Sequence, residues 1–433
     1  MKDSIIETLK NNKKDFQTTA DLEPLIDKLK DKKVVMLGEA SHGTHEYYQW
    51  RARISRKLLE EHGFDFVVVE GDWPPCYQLN RHIKNYEEAG NTLEILKEFK
   101  RWPSWMWANW EVKEFAEWLK GFNKDLTADK RKGFYGLDVY SLWESLDAIM
   151  DYLKKEDPSA LETAKEAMKC FEPHRDGEGD GQRYAMSTRM VPEGCRNEVR
   201  EMLVEIRNKA ISYNSDKENV FSTEQNALVA KNAEEYYRVM VQGGASTWNL
   251  RDQHMMDTLN NLLEFHGSDA KGIVWAHNTH IGDASFTDMA DDGLYNIGEL
   301  AREEYGRDRV SLVGFGSYKG SVLAGSSWGA EVQKMNLPEA REGSWEHLCH
   351  KAGEQFYVFS EDLKSNEKLE NRIPHRAVGV VYNPAHERFG NYVPTVIPDR
   401  YDAFVFFDKS EGLNNIDIKS KENKIPETYP FGF

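Results

Sequence analysis

Four apolar runs in this chain each end in groups able to move a proton or bind a metal. Val34-Val35-Met36-Leu37 runs into Gly38-Glu39-Ala40-Ser41-His42-Gly43-Thr44-His45-Glu46, and Gly272-Ile273-Val274-Trp275-Ala276 runs into His277-Asn278-Thr279-His280. Glu70 closes the run from Phe64, and Asp138 the run from Gly133. Two chemistries use such a set. A histidine can act as general base on water while a carboxylate fixes its tautomer and stabilises the imidazolium. Alternatively, the same His and Glu side chains can ligate zinc, manganese or iron. His277 and His280 resemble half a metal motif, yet no glutamate stands between them as in H-E-x-x-H. Arg51 lies about two turns into the helical pattern that starts near His45. A cation there can pair with Glu39 or Glu70 and meet a developing oxyanion.

These residues are far apart in sequence, so the elements that carry them must bring them together. Lys33 to Leu37 reads as a strand, Tyr47 to Leu59 as a helix stopped at Gly63, and Phe64 to Glu70 as a second strand that is apolar on both faces. Strand, helix, strand at this spacing is a βαβ unit. Further strands are expected at Gly133 to Asp138, Lys271 to Ala276, Val310 to Gly314, Gln355 to Phe359, Arg376 to Tyr382 and Ala403 to Phe407. In an open, mostly parallel sheet the carboxyl ends of the strands share one edge. Glu39, His42, Glu70, Asp138, His277 and His280 are therefore expected to converge. Gly38 is expected to allow a sharp turn and a close approach to a ligand.

The fold class that follows is α/β: a mostly parallel central sheet with flanking helices and a large helical insertion. Residues 1–140 form the first part of the core, with Leu22, Leu25, Ile26 and Leu29 on one helical face of a charged N-terminal segment. Residues 141–268 form the insertion or lid, where apolar residues recur at helical spacing, as in Met255-Met256-Leu259-Leu262-Leu263. Within it, the Gly-rich stretch from Arg175 to Arg189 reads as a mobile loop. Residues 269–418 form the second part of the core, and 419–433 a tail. Trp73 and the tryptophans from Trp102 to Trp110 supply either helix packing or a wall for a hydrophobic ligand.

The 73 acidic and 56 basic residues leave a formal charge of −17, which argues against nucleic acid and anionic membranes as partners. A small-molecule substrate is expected, and no cofactor. The start of the chain has no apolar leader and no run reaches membrane length, so a cytoplasmic location is expected. Cys76, Cys170, Cys195 and Cys349 are widely spaced with no C-x-x-C pair, and four free thiols are expected. Gly325-Ser326-Ser327-Trp328-Gly329 matches G-x-S-x-G, with Asp362 and His386 following, but Pro338 leaves no room for the long helix that should follow such a serine. Asp176 opens like a calcium loop, yet Ser187 stands where a bidentate glutamate is required. Gly38 to Gly43 has glycines only at its ends and an acid where a phosphate would sit.

Taken together, Gly38-Glu39-Ala40-Ser41-His42-Gly43-Thr44 with Glu46 and Arg51, Val69-Glu70 after Gly63-Phe64, Tyr135-Gly136-Leu137-Asp138, Ala276-His277-Asn278-Thr279-His280, and Arg376 to Tyr382 resemble the erythromycin esterase-like family. Some of its members carry the label succinoglycan biosynthesis protein. The resemblance covers nearly the whole chain. It implies an EreA/ChaN-like α/β core and hydrolysis of a macrolide lactone, a response to an antibiotic, by histidine-activated water without a required metal. By the same resemblance His42 is the general base, and Glu39, Arg51, Glu70, His277 and His280 complete the site. Glu46, Trp73 and Asp138 are expected to contact substrate. Two other readings stay open: a metal-dependent hydrolase using the same cluster, and a protein that binds a haem-like ligand without turning it over.

Overall fold

A computed structural model of the chain describes residues 2–86, 90–175, 180–188, 194–210, 216–240 and 245–416. The strands in chain order are β1 (Lys14–Asp15), β2 (Val34–Leu37), β3 (Phe66–Asp72), β4 (Gly133–Asp138), β5 (Gly272–Trp275), β6 (Val310–Gly325), β7 (Val332–Leu337), β8 (Gln355–Phe359), β9 (Ile373–Arg376), β10 (Tyr392–Thr395) and β11 (Ala403–Ser410). The main sheet runs β1-β8-β11-β6-β2-β5-β3-β4, with β7 added to β6, and β9 and β10 form a separate pair. From β11 to β4 every neighbour is parallel, whereas β8, β1 and β7 are antiparallel additions.

Residues alternate between the two faces of this sheet, as the strand period of two requires. Val35, Leu37, Val67, Val69, Ile273 and Trp275 join one core, with the helices His45–Glu61 and Trp110–Asn123. Val34, Met36, Phe66, Val68 and Val274 join the other, with Met255, Met256, Leu259, Leu262 and Leu263 of the helix Ala245–His266. The helices between Leu142 and Met240 pack mainly around a third core of their own, among them Leu146, Phe171, Val199 and Ala233. The segment expected as one helical insertion thus divides: its last helix lies on the sheet.

Several expectations need correction. Cys170 and Cys195 are joined by a disulfide, with Cα atoms 5.8 Å apart, and only Cys76 and Cys349 are free. The two cysteines are 25 positions apart, so no short spacing advertised the pair. Within the stretch read as a mobile loop, Asp180–Thr188 is helical; residues 176–179 and 189 lie outside the described residues, as does the tail 419–433. Only Ile373–Arg376 of the region around Arg376 to Tyr382 is a strand. Val378 and Val381 make single bridges to Ser41 and Gly325. After the G-x-S-x-G string comes a strand, Val332–Leu337, which removes the serine-hydrolase turn altogether.

Candidate active site

β2, β5, β3 and β4 are consecutive in the sheet, and the six residues expected to converge leave their carboxyl ends. Leu37 and Val69 both pair with Trp275, and Val69 with Gly136. The register places Glu39, Glu70 and His277 one or two residues beyond a common level, on adjacent strands. A register shift between Val69 and Asp72 marks an irregularity at Glu70, and such bulges re-aim side chains beside functional sites. There the Glu70 carbonyl accepts a hydrogen bond from Trp107 Nε1 at 2.9 Å.

Gly38 serves this geometry differently from expectation. A Cβ built on it would lie 2.1 Å from Asn278 Oδ1, so the glycine makes room for the neighbouring loop. Asn278 donates its backbone N–H to the Glu39 carbonyl at 2.8 Å and its side-chain amide to the Phe315 carbonyl at 2.7 Å. Gly43 likewise lies against the Leu323 carbonyl, 1.8 Å from an ideal Cβ.

Glu39 is fully buried and holds two partners: His42 Nδ1–H at 2.9 Å and Arg51 Nη2–H at 2.8 Å. An ionised carboxylate only accepts, so the proton sits on Nδ1 and His42 Nε2 is left as an acceptor. Arg51 is buried over the rings of Tyr48 and Trp275, 4.3 and 5.2 Å from their centroids. It therefore acts through Glu39, and the pairing with Glu70 considered for it does not form.

His277 faces His42 with ring centroids 4.9 Å apart. Its Nδ1 accepts the backbone N–H of Thr279 at 3.3 Å and lies 2.8 Å from Thr279 Oγ1, whose hydroxyl can donate to the same nitrogen; with Nδ1 accepting, the proton sits on Nε2. That Nε2 is buried and makes no hydrogen bond of ordinary geometry. Burial, and then the nearby His42, push the His277 pKa well below its ordinary value, so this ring is a neutral donor. Glu70 Oε2 accepts the His277 backbone N–H at 2.8 Å, and Oε1 accepts Arg251 Nη2 at 2.7 Å. Burial works against the Glu70 anion, but His280, Arg251 and His42 outweigh it and hold the carboxyl well below its usual range.

Arg251 and Asp252 escaped the sequence reading because they sit inside the helical region. Arg251 grips Asp138 through Nε and Nη2 at 2.9 and 2.7 Å. Asp252 places both oxygens 3.0 Å from His280 Nδ1, and Trp248 stacks on the His280 ring at 4.5 Å. A signal was present: Trp248, Arg251, Asp252, Met255, Met256 and Leu259 recur at helical spacing, which puts two opposite charges on an apolar face. Burial disfavours the His280 cation, while Asp252 and Glu70 favour it more and lift the pKa to about 9. Arg251 Nη1 approaches His280 Nε2 to 2.9 Å; a guanidinium only donates, so that contact requires the neutral ring. The alternative, an Nε2–H directed at Glu70 Oε1 3.4 Å away, needs Arg251 to withdraw.

Of the remaining expected residues, Asp138 joins this cluster through Arg251, whereas Glu46 and Trp73 stand apart from it. Glu46 accepts the Glu411 backbone N–H at 2.9 Å, and Asp138 is occupied by Arg251. Trp73 is buried in the core, where it stacks on Tyr77 and Tyr135 and donates to Ser222 Oγ at 3.1 Å; this corrects its placement as a ligand wall. Trp105 and Trp107 are also buried. Trp102 packs on Trp328, with centroids 4.6 Å apart, and Trp110 is 45% exposed. Among the described residues no group of three or more His, Cys, Asp or Glu is arranged to hold a metal ion.

A sequence model described as erythromycin esterase matches residues 59–410. The chain belongs to the erythromycin esterase family. Membership supports hydrolase activity. An Escherichia coli relative named erythromycin esterase type II is 25% identical over 375 residues, covering 80% of this chain and 85% of the relative. Among solved structures, a succinoglycan biosynthesis protein superposes with a TM-score of 0.78 at 19% identity, covering 96% of this chain and 98% of that one. A mutant of the erythromycin esterase EreC in its open conformation gives a TM-score of 0.68 at 15% identity, with 96% and 98% covered. These two likenesses show that this family member shares their α/β fold. No helix among the described residues is long and apolar enough to cross a membrane.

Proposed function

We propose that this family member hydrolyses a bulky or cyclic carboxylic ester, macrolide lactones being the first class to test, with water activated by His42 and no metal. The observation that carries the reading is a pair of facing imidazoles with opposite duties. His42 has its Nδ1 proton bound by Glu39, so Nε2 can take a proton from water. His277 is neutral, and its buried Nε2–H makes no hydrogen bond of ordinary geometry, the Ala40 backbone offering it only a lesser contact, which suits a donor to the carbonyl oxygen as negative charge develops there.

In this scheme His42 Nε2 accepts a proton as water adds to the carbonyl carbon. His277 donates a hydrogen bond to the resulting oxyanion. Glu39, itself paired with Arg51, stabilises the His42 imidazolium. The C–O bond to the leaving alcohol then breaks, and the imidazolium returns its proton to the alkoxide. One water is consumed, giving an acid and an alcohol, which for a lactone are the two ends of one ring-opened hydroxy acid. A formal charge of −17 favours a neutral or cationic small molecule over polyanionic partners.

The test is incubation of the purified protein with a panel of macrolides and other lactones, with mass measurement for the gain of one water. The expected result is ring opening by the parent protein, unchanged by chelators and lost in His42→Asn. Full activity in that variant would remove His42 from the role. Activity abolished by chelation and restored by a divalent ion would overturn the metal-free mechanism. Ligands, haem included, that bind tightly and are recovered intact while no ester is cleaved would overturn hydrolysis.

A further inference from the structure

Arg251 and Asp252 are the only charged groups bonded directly to Glu70, His277 or His280 side chains that do not come from a strand end or its following loop, among the described residues. Adjacent helical residues point about 100° apart, and these two divide their targets accordingly. Arg251 reaches across the ends of β3 and β4 to Glu70 and Asp138, with its guanidinium 5.0 Å from the Tyr140 centroid. Asp252 is turned to the loop after β5, where it holds His280 Nδ1 and accepts the Ile297 backbone N–H at 2.9 Å. Both lie among buried groups.

The connection to the reacting groups runs through Glu70. One of its oxygens is held by Arg251 and the other holds the backbone N–H of His277. His280, clamped by Asp252, is three residues further on in the same short turn, Asn278–Ile281. Thus two neighbouring residues of one helix fix both ends of the segment that presents the His277 ring to His42. His280 differs from the other two imidazoles, because both of its nitrogens are engaged by protein groups.

We infer that Arg251 and Asp252 are positioning residues of the hydrolytic site, acting through Glu70 and His280 to hold His277 opposite His42. The kinetic consequence rests on the hydrolytic reading; the structural one does not. The charged and titratable groups around His280 are Asp252 and Arg251 from the helix, Glu70 from β3, His277 on its own loop, and Asp138 of β4 behind Arg251. Asp252 and Glu70 favour its cation and Arg251 opposes it.

The experiment uses full-length protein labelled with 15N-histidine, in the parent and in Arg251→Met, Arg251→Lys and Asp252→Asn, each checked by thermal melting. His280 titration in NMR is expected to move to higher pH in R251M, because an opposing cation is gone. It is expected to move to lower pH in D252N, because a supporting anion is gone. R251K should lie nearer the parent. On a lactone that the parent opens, kcat is expected to fall on the order of 100-fold in R251M, with KM little changed and partial recovery in R251K. His280 titrating as in the parent in folded D252N would overturn the inference, whether or not R251M folds. So would kcat and pH profiles equal to the parent's. If the parent opens no lactone, the hydrolytic reading fails and the titrations still decide this one.

Discussion

Glu39 lies at the centre of the proposed chemistry because its two oxygens are divided between His42 and Arg51. Glu39→Gln keeps the shape but removes the charge that stabilises the imidazolium, and kcat/KM is expected to fall roughly 100- to 10,000-fold. Steady-state kinetics on a lactone that the parent opens checks it. Arg51→Met leaves the Glu39 carboxylate buried beside aromatic rings without its cation; breaking a buried pair in this way costs about 3–5 kcal/mol, readable in denaturant titrations. Glu70 carries a pH signature. Its folded pKa lies well below the ordinary 4.5, so its contribution to stability is present above that value and is lost as pH falls through it toward the folded pKa. Melting temperatures followed from about pH 7 to pH 3 should drop more steeply for the parent than for Glu70→Gln. Equal slopes would mean that Glu70 is not held as an anion.

Gly38 and Gly43 act at the scale of elements, where the loop after β2 meets its neighbours. Gly38→Ala drives a methyl group against Asn278, whose amide is already bonded to Phe315, and Asn278 adjoins His277. Gly43→Ala meets the Leu323 backbone, which cannot rotate away. Both are expected to lose about 1–3 kcal/mol of stability, with a larger fractional loss of hydrolysis than the destabilisation explains. A lactone assay at a temperature where both variants remain folded separates the two effects. The helix Ala245–His266 is the other element that matters, since it brings Arg251 and Asp252 to strand ends it does not follow in sequence.

On the scale of the molecule, the sheet core and the helical core near Leu142–Met240 are largely distinct, and the Cys170–Cys195 disulfide belongs to the second. Closing a loop with 25 residues of separation contributes about 3 kcal/mol. Cys170→Ser with Cys195→Ser is expected to lower the melting temperature while leaving lactone hydrolysis per folded molecule unchanged. Loss of hydrolysis in protein that remains folded would tie the helical core to the site more closely than the contacts do.

Local information carried the strands ending in Glu39, Glu70, Asp138 and His277, because a buried parallel strand writes itself as an apolar run and its carboxyl end as a break to polar residues. The helix His45–Glu61 and the α/β class were legible for the same reason. Boundaries drifted where a bulge or a long excursion extended a strand, as at Glu70 and along Val310–Gly325. What the residues alone left open was partnership. Arg51 could have served Glu39 or Glu70, and only the packing of its helix against β2 chose Glu39. Strand order, which puts β5 between β2 and β3, set His277 against His42 across more than half the chain. The Arg251 clamp and the Cys170–Cys195 link depend on helix placement, which is settled by burying whole faces against other faces. No short stretch of sequence contains that information, because each face is apolar without naming its partner.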